Sequence, residues 1–339
     1  MSTNDAQPDL HALAAGVKEK ARELGFDLVG IAPASPSKYA DHVRAWVASG
    51  QAGDMAFMYR RLDERTDPGR YLPGAQSVVC VAINYHVPLE PVPEAERAKL
   101  GRVARYALGR DYHEHLKDRL YDLADWIRSV APDARTRAAT DSAPVSEREL
   151  AVRAGIGWVG KNTLVIHPRL GSWLLLGEVL TTVPLPPDEP IADHCGTCTR
   201  CIDACPTQAI TAPYRLDATR CISYLTIEHR GEIALELRAK MQDWVFGCDV
   251  CQDVCPHNHR VPTATDPAVQ PIHPTGTLVL DKMLGWSHQE YWDATRGTPM
   301  RRVKLPVLQR NAEIARENVR SAAEAREGAA GDEQKATSL

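Results

Sequence analysis

The chain has 339 residues, of which 44% are hydrophobic and 25% are charged, as is ordinary for a globular protein. This length accommodates two domains and a smaller third. A net charge of −4 excludes a uniformly basic surface but leaves room for a local basic patch. No apolar run approaches the ~20 residues of a membrane span, and no export signal is visible near the N-terminus. A cysteine-rich chain of this kind is expected in the reducing cytoplasm.

Helices and strands are predicted to alternate over the first part of the chain. Apolar spacing predicts helices over residues 10–24, 35–48, 112–130 and 146–154, and strands over residues 27–32, 77–85 and 134–141. Two further apolar runs, residues 162–168 and 172–185, are predicted to pair across the turn Pro168–Gly171. This alternation predicts an α/β domain over residues 1–185. The proline-rich segment 184–190 is the predicted linker to the next domain.

Eight of the nine cysteines lie between residues 195 and 255. The first run, CGTCTRCIDACP from Cys195, has the C-x2-C-x2-C-x3-C-P pattern of bacterial ferredoxins with two [4Fe–4S] clusters, in which the fourth cysteine binds the other cluster. The second run, CDVCQDVCP from Cys248, is one cysteine short, and Cys221 between the runs supplies the missing ligand. Counting gives two sets of four: Cys195, Cys198, Cys201 and Cys255 for cluster 1, and Cys205, Cys221, Cys248 and Cys251 for cluster 2.

Zinc sites and disulfides are the alternatives for these cysteines. Zinc prefers two separated C-x2-C pairs or mixed Cys/His spacing, which the first run does not offer. Disulfides require an oxidising compartment, of which the sequence carries no sign. Residues 186–262 are therefore predicted to form a ferredoxin-type domain with two clusters. The ninth cysteine, Cys80, lies in a predicted buried strand, where it acts as a small hydrophobic residue.

Two features of the first domain are candidates for chemistry. Gly155, Gly157 and Gly160 form G-x-G-x-x-G, but they follow a helix and lead into a strand, the reverse of a dinucleotide fingerprint. We therefore interpret them as a structural turn or a close approach to a flat cofactor. Asp141 ends a strand, where α/β sheets place ligands. The alternative for Asp141 is a turn aspartate that accepts backbone hydrogen bonds.

The last part of the chain is predicted to be helical and locally basic. A proline-rich loop runs to residue 277, and helices are predicted over residues 278–284, 287–294 and 305–325. The segment from Arg296 to Arg320 contains seven basic residues and only two glutamates, although the whole chain is acidic. We assign residues 263–325 to a C-terminal helical segment. The polar residues 326–339 lack periodicity and are expected to form a flexible tail.

Several motifs together resemble the epoxyqueuosine reductase family. They are ARYALGRDYH (104–113), DSAPVSEREL (141–150), GWVGKNTL (157–164), RCISYLTIE (220–228) and GCDVCQDVCP (247–256). The resemblance runs from about residue 10 to about residue 320 and is closest to the shorter form of the family, which has no helical-repeat extension.

The resemblance implies a nitroreductase-like α/β domain that binds cobalamin and is related to reductive dehalogenases. A ferredoxin-like domain would pass electrons to cobalt and give cob(I)alamin, with an external donor such as flavodoxin or ferredoxin. The implied reaction converts epoxyqueuosine at the wobble position of a tRNA anticodon to queuosine, with two electrons, two protons and loss of water. The protein is expected to be a monomer with no membrane association.

The resemblance also implies roles for individual residues. Asp141 matches the family's proton donor. An aspartate in this role needs a pKa above the ordinary ~3.9, and burial would raise it. The implied cobalamin contacts are Arg60, Ala104, Asp141, Asn162, Val165, Leu176, Ser223 and Asp249. Ala104 stands where some members have a cysteine near cobalt, which argues against a thiolate ligand, and no D-x-H-x-x-G motif offers a histidine ligand. The implied tRNA contacts are His229, Arg230, Arg301, Arg302 and Lys304.

Two other functions share parts of this layout. A corrinoid reductive dehalogenase would also combine cobalamin with two clusters, but it usually carries a twin-arginine export signal and does not need a basic patch. A two-cluster electron carrier would use the α/β domain for docking alone.

Overall fold

A computed structural model describes the backbone of residues 9–336 and the side chains of residues 9–325. The strands are β1 (Leu28–Pro33), β2 (Ser77–Asn84), β3 (Leu100–Val103), β4 (Thr136–Ala139), β5 (Trp158–Val159), β6 (Val165–Ile166), β7 (Leu174–Thr181), β8 (Ile210–Ala212), β9 (Arg215–Leu216), β10 (Trp244–Phe246) and β11 (Thr277–Val279). The helices are α1 (Leu10–Glu23), α2 (Ala40–Ala48), α3 (Ala56–Tyr59), α4 (Leu62–Thr66), α5 (Pro68–Tyr71), α6 (Glu94–Arg97), α7 (Tyr112–Val130), α8 (Glu147–Arg153), α9 (Arg200–Asp203), α10 (Ile222–Ile227), α11 (Leu235–Arg238), α12 (Val250–Asp253), α13 (Leu280–Gly285), α14 (His288–Thr295) and α15 (Leu305–Ala336).

The main sheet is antiparallel and has the strand order β1-β2-β7-β4. Strand β2 is buried along its whole length because helices cover both faces of the sheet. Val79 and Val81 pack with α1 and α7 on one face, whereas Val78 and Cys80 pack with α8 on the other. Helix α7 begins and ends where the apolar spacing predicted. The three layers confirm the predicted α/β class.

A second sheet joins distant parts of the chain. Its order is β10-β3-β11, with β10 parallel and β11 antiparallel to β3. Each of these strands comes from a different one of the three predicted segments. Phe246, Leu278, Met283 and Leu308 form part of the core beneath this sheet, where α13 and α15 pack. The cluster segment is therefore built into the same body as the first and last segments.

One predicted strand pairing is wrong. Strand β6 pairs with β5 instead of β7, and β7 pairs with β2 and β4. The glycines before β6 explain the difference, because a Cβ at Gly157 would lie 2.3 Å from the Ile166 carbonyl oxygen. Only a glycine permits this close approach. The G-x-G-x-x-G pattern therefore serves a hairpin within the protein, in agreement with the structural interpretation.

The C-terminal helix is longer than predicted. Helix α15 continues to Ala336 and so extends into the segment that was expected to be a flexible tail. Residues 326–336 (REGAAGDEQKA) include three alanines, two glutamates, an arginine, a glutamine and a lysine, which favour helix and outnumber the two glycines that disfavour it. Residues 1–8 and 337–339 lie outside the described residues. Within residues 9–336, no helix combines the length and the apolarity needed to cross a bilayer.

Candidate functional site

The nine cysteines are free thiols. Packing separates four of them into two places: Cys195 and Cys255 pack with Trp158, whereas Cys221 and Cys248 pack in the core around Tyr224. Among the described residues, no three His, Cys, Asp or Glu side chains are arranged to hold a single metal ion, the arrangement that a zinc site would need.

Electrostatic interactions divide the thiols in the same way. Burial raises the pKa of Cys201, and the nearby Cys255, Cys195 and Cys198 raise it further. In the other group, burial raises the pKa of Cys251 well above its ordinary value, and the nearby Cys221 and Cys248 raise it further. Burial also raises the pKa of Cys221, and the nearby Cys205 adds to this effect. Bound iron would offset the repulsion among these sulfur atoms, because a coordinated thiol is deprotonated and its negative charge lies next to the metal. Cys201 also raises the pKa of Cys251, so the two groups lie near each other, and their division into two sets of four stays a prediction.

Asp141 lies in the turn between β4 and α8. Its backbone has φ of +42°, a left-handed conformation that aspartate tolerates better than most residues. The Asp141 backbone N–H donates to the carboxylate of Glu147, and the neighbouring Thr140 hydroxyl donates to the Leu176 carbonyl oxygen at 3.0 Å. These contacts fix the turn while 42% of the Asp141 side chain stays exposed. The carboxyl group is therefore held in place and remains open to a ligand.

An imidazole connects Asp141 to a second carboxylate. His113 Nε2 lies 2.6 Å from Asp141 Oδ2, and His113 Nδ1 lies 2.7 Å from Asp111 Oδ1. Asp111 also caps α7, and the neighbouring Tyr112 ring stacks on the imidazole at 4.2 Å. Burial lowers the pKa of His113, but its hydrogen bonds to the two carboxylates outweigh burial and raise the pKa to about 9. His113 is therefore protonated at neutral pH.

The pKa of Asp141 is lowered, which corrects the expectation of a raised pKa. Burial is the largest single influence and raises the pKa, but the hydrogen bond from His113 and the positive charges of His113 and Arg302 hold it below its ordinary value. The physical reason is the His113 imidazolium, which lies beside Asp141 although 28 residues separate the two along the chain. In this state the dissociable proton is on His113 and not on Asp141.

Arg148 interacts electrostatically with Asp141 and with the second cysteine group. Arg148 is accessible to solvent, and yet burial lowers the pKa of its guanidinium. We infer an opening at Arg148, because a side chain that is both accessible and poorly solvated lies below the rim of a concave surface. The positive charge of Arg148 acts on Asp141 and Glu147 on one side and on Cys221 and Cys251 on the other. We call this region the central cleft, defined by these five residues.

The predicted cobalamin contacts lie in different surroundings. Val165 and Leu176 belong to the core beside α8, and Ser223 lies in α10, where its backbone N–H faces the Cys221 thiol. Arg60 is exposed at the end of α3.

Three other predicted contacts are held by the protein itself. Ala104 is buried against Gly247, where an added Cβ would lie 2.5 Å from the Ala104 side chain. Asn162 accepts a hydrogen bond from the Leu164 N–H at 3.2 Å. The buried Asp249 carboxylate accepts hydrogen bonds from the backbone N–H and guanidinium of Arg105, at 2.8 and 3.2 Å.

Some buried polar atoms lack partners among the described residues. They include Nε of Arg65, Nε of Arg105 and both carboxyl oxygens of Glu178. Glu178 is fully buried on β7, two residues from Leu176 and on the same face of the sheet. Burial raises its pKa well above the ordinary value. Polar groups of this kind suit a large ligand that brings its own hydrogen-bonding groups.

The predicted tRNA contacts fall into two classes. The Arg301 guanidinium lies over the exposed Trp292 ring at 3.3 Å, and Lys304 and Arg230 are exposed. Arg302 donates from Nε to the Glu228 carboxylate at 2.8 Å, and its charge reaches Asp141.

His229 and Arg310 make hydrogen bonds within the protein. His229 Nδ1 lies 3.1 Å from the Asp54 carboxylate, and its Nε2 lies 2.9 Å from the Glu232 carbonyl oxygen. Arg310 donates to the carbonyl oxygens of Leu225 and His229 and so belongs to the fold. The basic surface beside the central cleft therefore consists chiefly of Arg301, Arg302 and Lys304.

Two protein-family models match the chain. Residues 65–142 match the family described as epoxyqueuosine reductase QueG, DUF1730, and residues 194–258 match a 4Fe-4S double cluster binding domain. Among curated relatives, the epoxyqueuosine reductase of Xanthomonas campestris is 42% identical over 89% of this chain and 86% of its own length. That of Escherichia coli is 40% identical over 91% of this chain and 81% of its own length.

The chain belongs to the epoxyqueuosine reductase family. Solved structures agree, since an epoxyqueuosine reductase crystallised with an epoxyqueuosine-modified tRNA-Tyr stem loop superposes with a TM-score of 0.87. That structure is 33% identical, covering 93% of this chain and 84% of the other. The family prediction is confirmed over the reductive dehalogenase and electron-carrier alternatives. The double-cluster domain of the family spans all eight cysteines of the two runs and of RCISYLTIE.

The sequence analysis missed the partners of Asp141. His113 and Asp111 were part of the motif ARYALGRDYH, but no role was assigned to them. Glu147 and Arg148 were read only as the start of a helix. The available signal was the D-x-H spacing at a predicted helix start, which places a carboxylate and an imidazole side by side.

Proposed function

We propose that this protein is an epoxyqueuosine reductase that binds cobalamin in the central cleft and reduces epoxyqueuosine in tRNA to queuosine. The observation that carries the proposal is the position of Arg148, whose charge acts both on the Asp141 acid and on two thiols of the second cysteine group. The charge of Arg148 thus links the candidate proton donor with two candidate cluster ligands, which supports a reaction site between them. Family membership supplies the substrate, because the relatives are named for this reaction.

The residues around the central cleft fit a corrinoid. The unpaired Nε atoms of Arg65 and Arg105 can donate to amide oxygens, and the unpaired oxygens of the Glu178 carboxyl can accept from amide N–H groups. The side-chain amides of a corrin ring both donate and accept hydrogen bonds. The face of the ring is apolar and suits the apolar side chains of Val165 and Leu176. Bound cobalamin would supply a cobalt centre that takes up electrons singly and delivers a pair of them to an epoxide carbon.

The protein's own part in the reaction is to supply protons. Reduction of the epoxide breaks both C–O bonds, forms a C=C bond, consumes two electrons and two protons, and releases water. Substrate seated against Asp141 would exclude solvent from its exposed side, and this desolvation raises the pKa of a carboxyl group. The proton held by His113 can then pass to Asp141 and on to the departing oxygen, since the two side chains are 2.6 Å apart.

We assign the cysteine sets to the electron path. Cys205, Cys221, Cys248 and Cys251 would hold cluster 2 beside the central cleft, and Cys195, Cys198, Cys201 and Cys255 would hold cluster 1 on the side away from it. Electrons would enter at cluster 1, cross to cluster 2 and reach the cofactor. We infer that the enzyme works in the reducing cytoplasm, since cysteines that bind clusters must stay reduced.

The test uses anaerobically purified full-length protein with reconstituted clusters. Cobalamin is added and its visible spectrum recorded, and then epoxyqueuosine-modified tRNA and a reductant are supplied and the nucleosides are analysed by mass spectrometry. We expect a base-off cobalamin spectrum and loss of one oxygen from the modified nucleoside. Unchanged nucleoside in the presence of bound cobalamin and reduced clusters would rule out the proposed reaction.

A further inference from the structure

A basic cleft lies on the side of the molecule that carries cluster 1. It encloses about 770 Å³, and its lining includes Arg169, Arg260, His257 and His259, against the single carboxylate of Asp27. Arg169, Arg260 and His259 are exposed. None of the lining residues belongs to the central cleft or to the basic surface of Arg301, Arg302 and Lys304. This opening is therefore a separate feature.

The walls of the basic cleft are held together by a buried amide. Asn258 Oδ1 accepts from the Ser172 N–H at 2.8 Å, and Asn258 Nδ2 donates to the Ser172 hydroxyl at 2.9 Å. The turn that carries Arg169 is fixed as well, because its N–H and that of Leu170 donate to His167 Nδ1 at 3.1 Å. The two turns that form the cleft are thus positioned before any partner arrives, which lowers the entropic cost of docking.

Few side chains lie between the basic cleft and the cysteines assigned to cluster 1. Pro256, in its lining, directly follows Cys255. The rings of His257 and His194 pack edge-on against Trp158, each with centroids 5.0 Å apart, and Trp158 contacts Cys255 in the same core. A redox group seated in this cleft is separated from the cluster 1 thiols by about one layer of side chains.

We infer that the basic cleft is the docking site of an acidic one-electron carrier protein, which delivers electrons to cluster 1. This inference rests on the proposed function, since that reaction consumes two electrons that the protein must obtain from outside. The two electrons arrive in two separate encounters, each of which oxidises one carrier by one electron and reduces one cluster by one. Positive charge around the entry point steers an acidic carrier to it and makes the encounter rate sensitive to salt.

The experiment measures cluster reduction by stopped-flow absorbance, with a photoreduced acidic flavodoxin as the probe and no tRNA present. For the double variant Arg169→Glu/Arg260→Glu we expect a fall of at least about tenfold in the second-order rate at low salt, and loss of most of its salt dependence. Reduction by dithionite, which needs no docking, stays unchanged. The control Arg97→Glu/Arg128→Glu reverses two exposed charges elsewhere and keeps the wild-type rate.

Two further measurements keep the outcomes separate. Arg169→Gln/Arg260→Gln gives an intermediate loss if charge is the cause, and it replaces the first variant should that one lack its clusters. Wild-type rates with flavodoxin in both variants overturn the inference, as does a loss of tRNA affinity without a loss of flavodoxin rate, which would make the cleft an RNA surface. Wild-type protein that accepts electrons from flavodoxin but leaves epoxyqueuosine unchanged defeats the proposed function alone.

Discussion

At the scale of single residues, the site depends on a shared proton. Asp111, His113 and Asp141 form a row in which one imidazole lies between two carboxylates. Each carboxylate stabilises the imidazolium, which in return keeps Asp141 ionised while the cleft is open to water. A lone aspartate at this position would need its own pKa raised before it could act as an acid. In the proposed mechanism, His113 holds the proton until desolvation of Asp141 transfers it.

Replacement of Asp141 by asparagine tests the acid directly. Asparagine tolerates the same positive φ and keeps the shape of the side chain, so we expect intact clusters and intact folding. Turnover should fall by about 10²- to 10⁴-fold, the usual contribution of a general acid. Single-turnover conversion of epoxyqueuosine tRNA measures the effect, with the neighbouring Ser142→Ala as control. Near-wild-type turnover would remove Asp141 from the mechanism.

The pH dependence of stability tests His113. Its folded-state pKa of about 9 lies above its ordinary value of 6.5, so its stabilisation is fully present below about pH 6.5 and is lost as the pH rises to about 9. The difference in free energy of unfolding between wild type and His113→Gln should therefore shrink over that range, by roughly 1 to 2 kcal/mol after allowance for partial exposure. Anaerobic denaturant titrations at pH 6 and pH 9 measure it. A constant difference would mean that His113 is not charged in the fold.

At the scale of elements, helix α8 is the part that places the site. Its first residues, Glu147 and Arg148, line the central cleft, while its apolar face packs on the main sheet. Its position is fixed at the other end by Gly30 of β1, since a Cβ there would lie 1.9 Å from the Ala154 carbonyl oxygen. The close contact between strand and helix end thus sets where the charged residues point.

Gly30→Ala should accordingly destabilise the protein. The added methyl group meets backbone atoms that cannot rotate away, and overpacking of this kind costs about 2 to 3 kcal/mol or more. We expect the anaerobic thermal midpoint to fall by roughly 5 °C or more. Gly285→Ala is the matched control, because nothing lies within 4 Å of its added Cβ. Equal midpoints for the two variants would show that the β1–α8 contact adjusts freely.

At the scale of the whole molecule, the predicted ligand sets tie separate parts of the chain together. Each cysteine run contributes to both groups, and Cys221 comes from the segment between the runs. The second sheet adds a further connection, because β3, β10 and β11 come from three successive segments. Clusters and fold are therefore expected to stabilise one another.

Cys221→Ser tests the assignment of the missing ligand. Loss of one ligand should lower the iron content from about eight to about four per chain, since only cluster 2 is affected. Iron analysis and the low-temperature electron paramagnetic resonance spectrum of the reduced protein measure it. Cys80→Ser is the control, because that buried thiol lies in the core of the main sheet and should leave the iron content unchanged. A full complement of iron in Cys221→Ser would exclude the assignment.

The basic surface beside the central cleft is tested with tRNA. For Arg301→Ala/Arg302→Ala/Lys304→Ala we expect weaker binding of the anticodon stem-loop. The plot of log affinity against log salt should also become shallower, its slope falling in magnitude by about 2. The decrease is less than 3 because Arg302 already pairs with Glu228. Filter binding over a range of salt concentrations measures both, with Arg97→Ala/Arg128→Ala as control. Unchanged affinity and slope would move the tRNA contact elsewhere.

The sequence by itself determined the features that depend on short spacing. Apolar periodicity located α7 and β2, and the C-x2-C-x2-C-x3-C-P spacing predicted the double-cluster domain that the matching family model confirms. These features depend on residues a few positions apart, whose geometry is fixed by the helix and strand repeats or by short turns.

Only the tertiary structure decided which distant surfaces meet. It paired β6 with β5 and β7 with β2, and it brought His113 to within 2.6 Å of Asp141 across 28 residues of chain. The same packing lowered the pKa of Asp141, which sequence reasoning had expected to be raised. Contacts and pKa values of this kind depend on the three-dimensional neighbourhood, because burial and nearby charges act through space and not along the chain.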